Sequence, residues 1–133
     1  MAHNEVLRLL LRAGYPLTCI FDVGANVGLT AQEFGQSFSY AIIHTFEPVP
    51  ATYDLLTANL ASRPNVHCNR PALGRTFGEV KMAVAGVSPG NGVLLSGSYT
   101  KGETDIVPQL TGEQYRANRQ IGQIRFLKIA TMD

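Results

Sequence analysis

Hydrophobic residues change their spacing along the first 84 positions, and the changes mark out the elements. Val6, Leu9, Leu10 and Ala13 recur at i, i+3, i+4 and i+7, with arginines on the other side. That spacing predicts an amphipathic helix over residues 3–13, stopped by Gly14 and Pro16. Leu17-Thr-Cys-Ile-Phe-Asp-Val23 is then a nearly continuous apolar run, as a central parallel strand buried on both faces requires. The short turn Gly24-Ala-Asn-Val-Gly28 opens a second helix, in which Val27, Ala31, Phe34 and Phe38 share one face. Gly35 lies inside that helix at a cost of about 1 kcal/mol relative to alanine. A second strand follows at Ile42-Ile-His-Thr-Phe46 and terminates in Glu47-Pro48. A helix beginning near Pro50 turns Tyr53, Leu56 and Leu60 inward, and a short strand spans Asn65–Asn69.

Strand and helix thus alternate through the first half, the pattern of an α/β fold with a Rossmann-like, doubly wound and mostly parallel sheet. Right-handed crossovers place the first strand centrally, with a ligand crevice at the carboxyl ends of the strands. Beyond residue 78, Glu79-Val-Lys-Met-Ala-Val84 alternates like a strand. Residues 86–104 are rich in Gly, Ser, Pro and Asn and read as a loop with a short strand around Val93–Leu95. Residues 111–120 suit a short polar helix, and Ile124–Ile129 a last strand. Neither a repeat nor a linker divides the chain. Residues 1–133 are therefore expected to form one domain: an N-terminal helix within 1–15, a βαβαβ core over 17–84 and a loop-rich region over 85–133.

Composition narrows the function classes. A length of 133 residues suits a single domain with one sizeable core. The content is 45% apolar and 16% charged, and the formal net charge of +1 makes no electrostatic case for nucleic acid or an anionic membrane. No run of 18 apolar residues exists to span a bilayer. Glu5, Arg8 and Arg12 at helical spacing argue against a secretory leader, so the expected location is cytoplasmic. Cys19 and Cys68 each fall in an apolar strand and read as buried, reduced thiols. His3, His44 and His67 share no metal-ligand spacing, and no metal is assigned. Ser96, Ser98, Tyr99, Lys101 and Tyr115 have no partner that spacing can name.

The chemistry-bearing signal is the strand, turn and helix around Asp22-Val-Gly-Ala-Asn-Val-Gly28. Gly24 permits a sharp turn and the close approach of a ligand to the main chain. Gly28 permits tight packing of the following helix on the sheet. The helix start offers N–H groups without intrahelical partners to the polar tail of a cofactor. Asn26 stands where a dinucleotide-binding loop has its second glycine. Glu47 ends the next strand, near the place where an acidic residue receives the ribose hydroxyls of an adenosine cofactor, and a carboxylate has acceptor sites for both. Taken singly, Asp22 and Glu47 are equally well read as carboxylates that serve helix starts.

Phe21-Asp-Val-Gly-Ala-Asn-Val-Gly28, Thr45-Phe-Glu-Pro-Val-Pro50, Asn69-Arg-Pro-Ala-Leu-Gly74 and Gly78-Glu-Val80 occur in the order found in the FkbM family of S-adenosylmethionine-dependent O-methyltransferases, which the chain resembles over about residues 17–84. The resemblance implies a class I methyltransferase fold. It also implies that Asp22, Gly24, Ala25, Asn26 and Gly28 surround the methionine part of S-adenosylmethionine. Glu47 would hold the ribose with Pro48 beside it, and Asn69 and Ala72 would flank the adenine. The implied substrate is a hydroxyl on a small metabolite or glycan. The residues do not identify a general base.

The resemblance loosens toward the C-terminus. The family continues through a Thr-Leu-Asp-like segment and a strand resembling Leu-Lys-Ile-Asp-Val-Glu-Gly. Thr131-Met-Asp133 matches the first of these. Alternatively Leu127-Lys-Ile129 matches the second, with Ala130 in place of its aspartate. On either matching the last strands of the complete fold are missing, so a homo-oligomer that covers an open sheet edge is expected. Two other functions stay open: a catalytically inactive methyltransferase-like protein that binds cofactor or a protein partner, and a nicotinamide-dependent oxidoreductase, which Asn26 disfavours.

Overall fold

A computed structural model describes residues 3–85 and 99–129. The first three helices and three strands follow the alternation in the sequence: α1 (His3–Arg12), β1 (Cys19–Val23), α2 (Leu29–Ser37), β2 (Ile42–Phe46), α3 (Pro50–Leu60) and β3 (Val66–Asn69). Then come β4 (Ala72–Gly74), β5 (Gly78–Ala85), β6 (Tyr99–Thr111), α4 (Gly112–Asn118) and β7 (Phe126–Ile129). The strands form two sheets. Sheet A has the order β3-β2-β1-β7 and is parallel throughout. Sheet B has the order β4-β6-β5, with β4 parallel and β5 antiparallel to β6. The architecture is α/β and compatible with a Rossmann-like fold.

The central place of β1 agrees with the expectation from crossover handedness. After β1 the chain winds outward through β2 to β3, then returns to lay β7 on the other flank of β1, with Ile20 opposite Phe126 and Asp22 opposite Lys128. The direction of winding reverses between β1 and β7, and an open parallel sheet has its ligand crevice at such a point. Leu127-Lys-Ile129 thus lies beside the strand that leads into the glycine turn. Leu127 and Ile129 are exposed on this flanking strand.

α1, α2 and α3 cover one face of sheet A. Ala31, Phe34, Phe38, Leu56 and Leu60 from the helices and their ends pack there with Ile20 and Ile43. The sequence periodicity places the α2 face correctly. It misplaces the α1 face, where Leu7 is buried with Leu10 and Leu11 beside it while Leu9 is half exposed. Five of those positions (Val6, Leu7, Leu9, Leu10 and Leu11) are apolar, so more than one stripe fits the period and the sheet selects the one that docks.

The opposite face is covered by α4 and by Leu73 and Leu110 of sheet B, against Cys19, Phe21 and Phe46. Thr111 starts α4 with a reciprocal capping box. Its hydroxyl accepts from the Gln114 main-chain N–H at 3.0 Å, and its own N–H donates to Gln114 Oε1 at 2.9 Å. Residues 99–104, expected as loop, belong to the 13-residue strand β6. The expected short strand at Val93–Leu95, with Ser96 and Ser98, lies outside the described residues.

Candidate functional site

The turn after β1 is built from backbone conformations that few residues adopt. Gly24 has φ +76° and Gly28 φ +94°, and between them Asn26 has φ +55°. Asparagine enters this left-handed region more readily than most side-chain-bearing residues, so it fills a position where a second glycine is expected. The Gly24 and Ala25 N–H groups both donate to Phe46 O, at 2.9 and 3.0 Å, and tie the turn to the end of β2. A Cβ on Gly28 would lie 2.8 Å from Leu56 Cδ1 and 3.1 Å from Leu60 Cδ1. The close packing this glycine allows is therefore against α3, rather than against the sheet as the sequence suggested. No side chain caps α2 at Gly28, which leaves the helix start to other acceptors.

Two carboxylates stand behind the turn. Glu47 is 3% exposed; its Oε1 accepts from the Asn26 N–H at 2.8 Å and its Oε2 from the Val49 N–H at 3.2 Å. One side chain thus joins the β1–α2 turn to the start of α3. Burial pushes its pKa up, opposed by those two hydrogen bonds and by the Lys128 ammonium nearby. Each oxygen retains a further acceptor lone pair. Asp22 is fully buried and pairs with Lys128, Nζ to Oδ1 at 2.8 Å. Lys128 also donates to Gly24 O at 3.3 Å, so the β7 lysine braces both the strand end and the turn.

The turn and Lys128 border a crevice of about 230 Å3, lined by residues 24–30 and Lys128. It lies at the carboxyl ends of β1 and β7, where the winding reverses. Gly24, Ala25, Asn26 and Gly28 come together in its wall, with Asp22 and Glu47 buried behind them. Pro48, buried, follows Glu47 into α3. Asn69 and Ala72 are not in the lining. The Asn69 side chain donates to Thr45 O at 3.0 Å and to Tyr115 Oη at 3.1 Å, and Ala72 pairs with Gln109 in sheet B.

Lys128 escaped the sequence reading. Its signal was one cation in the otherwise apolar Phe126-Leu-Lys-Ile129 strand, which needs a buried anion as partner, and the one anion in β1 is Asp22. Tyr115 was likewise without a partner in the sequence. It is buried, with its hydroxyl 2.6 Å from His44 Nδ1. The hydroxyl also accepts from Asn69, and which of the tyrosine and the imidazole donates in the His44 contact follows the imidazole tautomer. Burial lowers the His44 pKa to about 4, helped by the nearby His67 and Arg119. Cys19 and Cys68 are free thiols whose pKa burial raises, so neither is an activated nucleophile. Among the described residues no group of three His, Cys, Asp or Glu side chains could hold a metal ion, and no helix is long and apolar enough to cross a membrane.

No family model matches the chain, and no solved structure matches it. The chain is similar to methyltransferase sdnD of Sordaria araneosa, with 33% identity over 79 residues. The match takes in 57% of this chain and 30% of the relative, so the chain spans about a third of the length of the curated protein it resembles.

Proposed function

We propose that the chain is the cofactor-binding part of an S-adenosylmethionine-dependent methyltransferase of the FkbM type, acting on a hydroxyl oxygen of a small metabolite or sugar. One observation carries the reading: a crevice walled by the Gly24–Gly28 turn and an uncapped helix start, at the carboxyl ends of β1 and β7. Similarity to a named methyltransferase supports it. At about 230 Å3 the crevice is smaller than the ~300–1,000 Å3 of sites that enclose a whole drug-sized ligand, so it suits one end of the cofactor.

The residues fit that end. Gly24 and Asn26 keep the main chain clear for close approach. The α2 start and Lys128 favour a carboxylate, and Asp22 holds Lys128 in place. Outside the crevice lining, Glu47 at the end of β2 would accept from the ribose hydroxyls, with Pro48 beside it and Asn69 and Ala72 on the adenine side. S-adenosylmethionine supplies an electrophilic methyl group on a positively charged sulfur. What the chain contributes is orientation of the reacting groups.

The test is calorimetric titration of S-adenosylhomocysteine into the chain, beside Glu47→Gln, Lys128→Met and a nicotinamide dinucleotide control. Saturable binding weakened about tenfold or more in either variant is expected, with no nicotinamide dinucleotide binding. A folded chain that ignores S-adenosylhomocysteine, or prefers the dinucleotide, would refute the assignment.

A further inference from the structure

A second and larger cavity, about 540 Å3, opens on the α4 face of sheet A at the amino ends of β1 and β2. It shares no lining residue with the crevice. The two are separated by the length of a five-residue strand, about 13 Å. Cys19, Ile42 and His44 contribute its sheet wall; the segment from α4 to β7 contributes the other wall, with Arg119, Ile121 and Arg125. Its volume falls within the ~300–1,000 Å3 of small-molecule sites.

The charge of this lining is one-sided. It holds two guanidinium groups and no carboxylate. Arg119 is oriented by two contacts: one of its terminal nitrogens donates to Asn69 Oδ1 at 3.2 Å, and its guanidinium carbon sits 5.4 Å from the Tyr115 ring centroid. Tyr115 is itself held by His44 and Asn69. A cation held this way loses little further freedom when it meets an anion. The Arg125 main-chain N–H donates to Cys19 O at 2.9 Å, which anchors the segment without occupying the Arg125 side chain. His44 is neutral above its pKa of about 4 and adds no charge to the lining. Ile42 and Ile121 supply apolar surface beside these donors.

We propose that this cavity binds a small organic anion, a carboxylate or phosphate monoester on a short apolar body, with the anionic group on Arg119 and Arg125 and the body against Ile42 and Ile121. Guanidinium groups recognise both anions through paired N–H donors, and the apolar wall separates such ligands from inorganic ions.

Benzoate and phenyl phosphate, titrated into the full chain by calorimetry with inorganic phosphate alongside, test this. Both organic anions should saturate, inorganic phosphate should bind more weakly, and Arg125→Gln should weaken both organic anions about tenfold or more. An amide chemical-shift map of the unaltered chain gives a reading independent of any variant: benzoate should move the resonances of residues 119–125 and 42–44. The inference is overturned by an absence of saturation, by unchanged affinity in folded Arg125→Gln, by inorganic phosphate binding as tightly as phenyl phosphate, or by shifts confined to residues 24–30.

Discussion

Sheet A is covered in two different ways, and the contrast separates what holds the fold from what aims its side chains. Under α1, α2 and α3 the core is aliphatic and aromatic, with Phe34, Phe38, Leu56 and Ile43 buried. Under α4, Phe21 and Phe46 interleave with His44 and Tyr115; five ring pairs, Phe21–His44, Phe21–Phe46, Phe21–Tyr115, His44–Tyr115 and Phe46–Tyr115, lie 4.7 to 5.6 Å apart. The first face is stabilised by area, which is tolerant of detail. The second works only if each buried polar atom keeps its partner. A hydrophobic face is thus a statement about composition, and a mixed face is a statement about geometry.

The contrast can be attacked from its stronger side first. Phe34→Ala should lower unfolding free energy by about 3–5 kcal/mol, measured by urea denaturation, and a loss under about 1 kcal/mol would mean that the α1–α3 face is not the principal core. Next comes pH. His44 is held neutral in the folded chain down to about 4, whereas its ordinary value is 6.5. Between those values the unfolded chain binds the extra proton, so stability is full above pH 6.5 and falls as pH drops toward 4. The loss is at most roughly 3 kcal/mol. Glu47, with a raised pKa, works in the opposite sense, since its folded form holds its proton to higher pH. The difference between the unaltered chain and His44→Gln therefore isolates the histidine, and parallel pH profiles for the two would contradict its assigned role. The smallest effect is expected of Tyr115→Phe, about 1–3 kcal/mol, because the ring stays while His44 and Asn69 each lose a partner. A change equal to that of Phe34→Ala would erase the distinction between the faces.

How much of this could be read from the residues follows the same line. β1, α2, β2 and α3 were legible because Ile20, Phe34, Ile43 and Leu56 meet one apolar surface, and burial on one side imprints a period. β6 was not: Thr100-Lys-Gly-Glu-Thr-Asp105 carries charge and glycine, and it becomes a strand through pairing with β5, with Met82 opposite Asp105 and Ala83 opposite Thr104. Pairing of this kind leaves no local trace. The glycine turn and Glu47 were legible because their conformations and charge are tied to residue type. Lys128 and Tyr115 were not, since Lys128 meets Gly24 across 104 positions and Tyr115 meets His44 across 71.

That long reach has a consequence for the order of events during synthesis. β1 can pair with β2, and β2 with β3, as soon as residues 42–69 have emerged, but the other edge of β1 pairs with residues 126–129. At ~5–20 residues per second, the 104 positions from Gly24 to Lys128 take roughly 5–20 s to translate. For that interval the nascent chain carries a hydrophobic strand with one unzipped margin, and the lysine that pairs with Asp22 has yet to be made. The period between the two halves is when this protein is most open to chaperones and to mispairing, and β7 closes it.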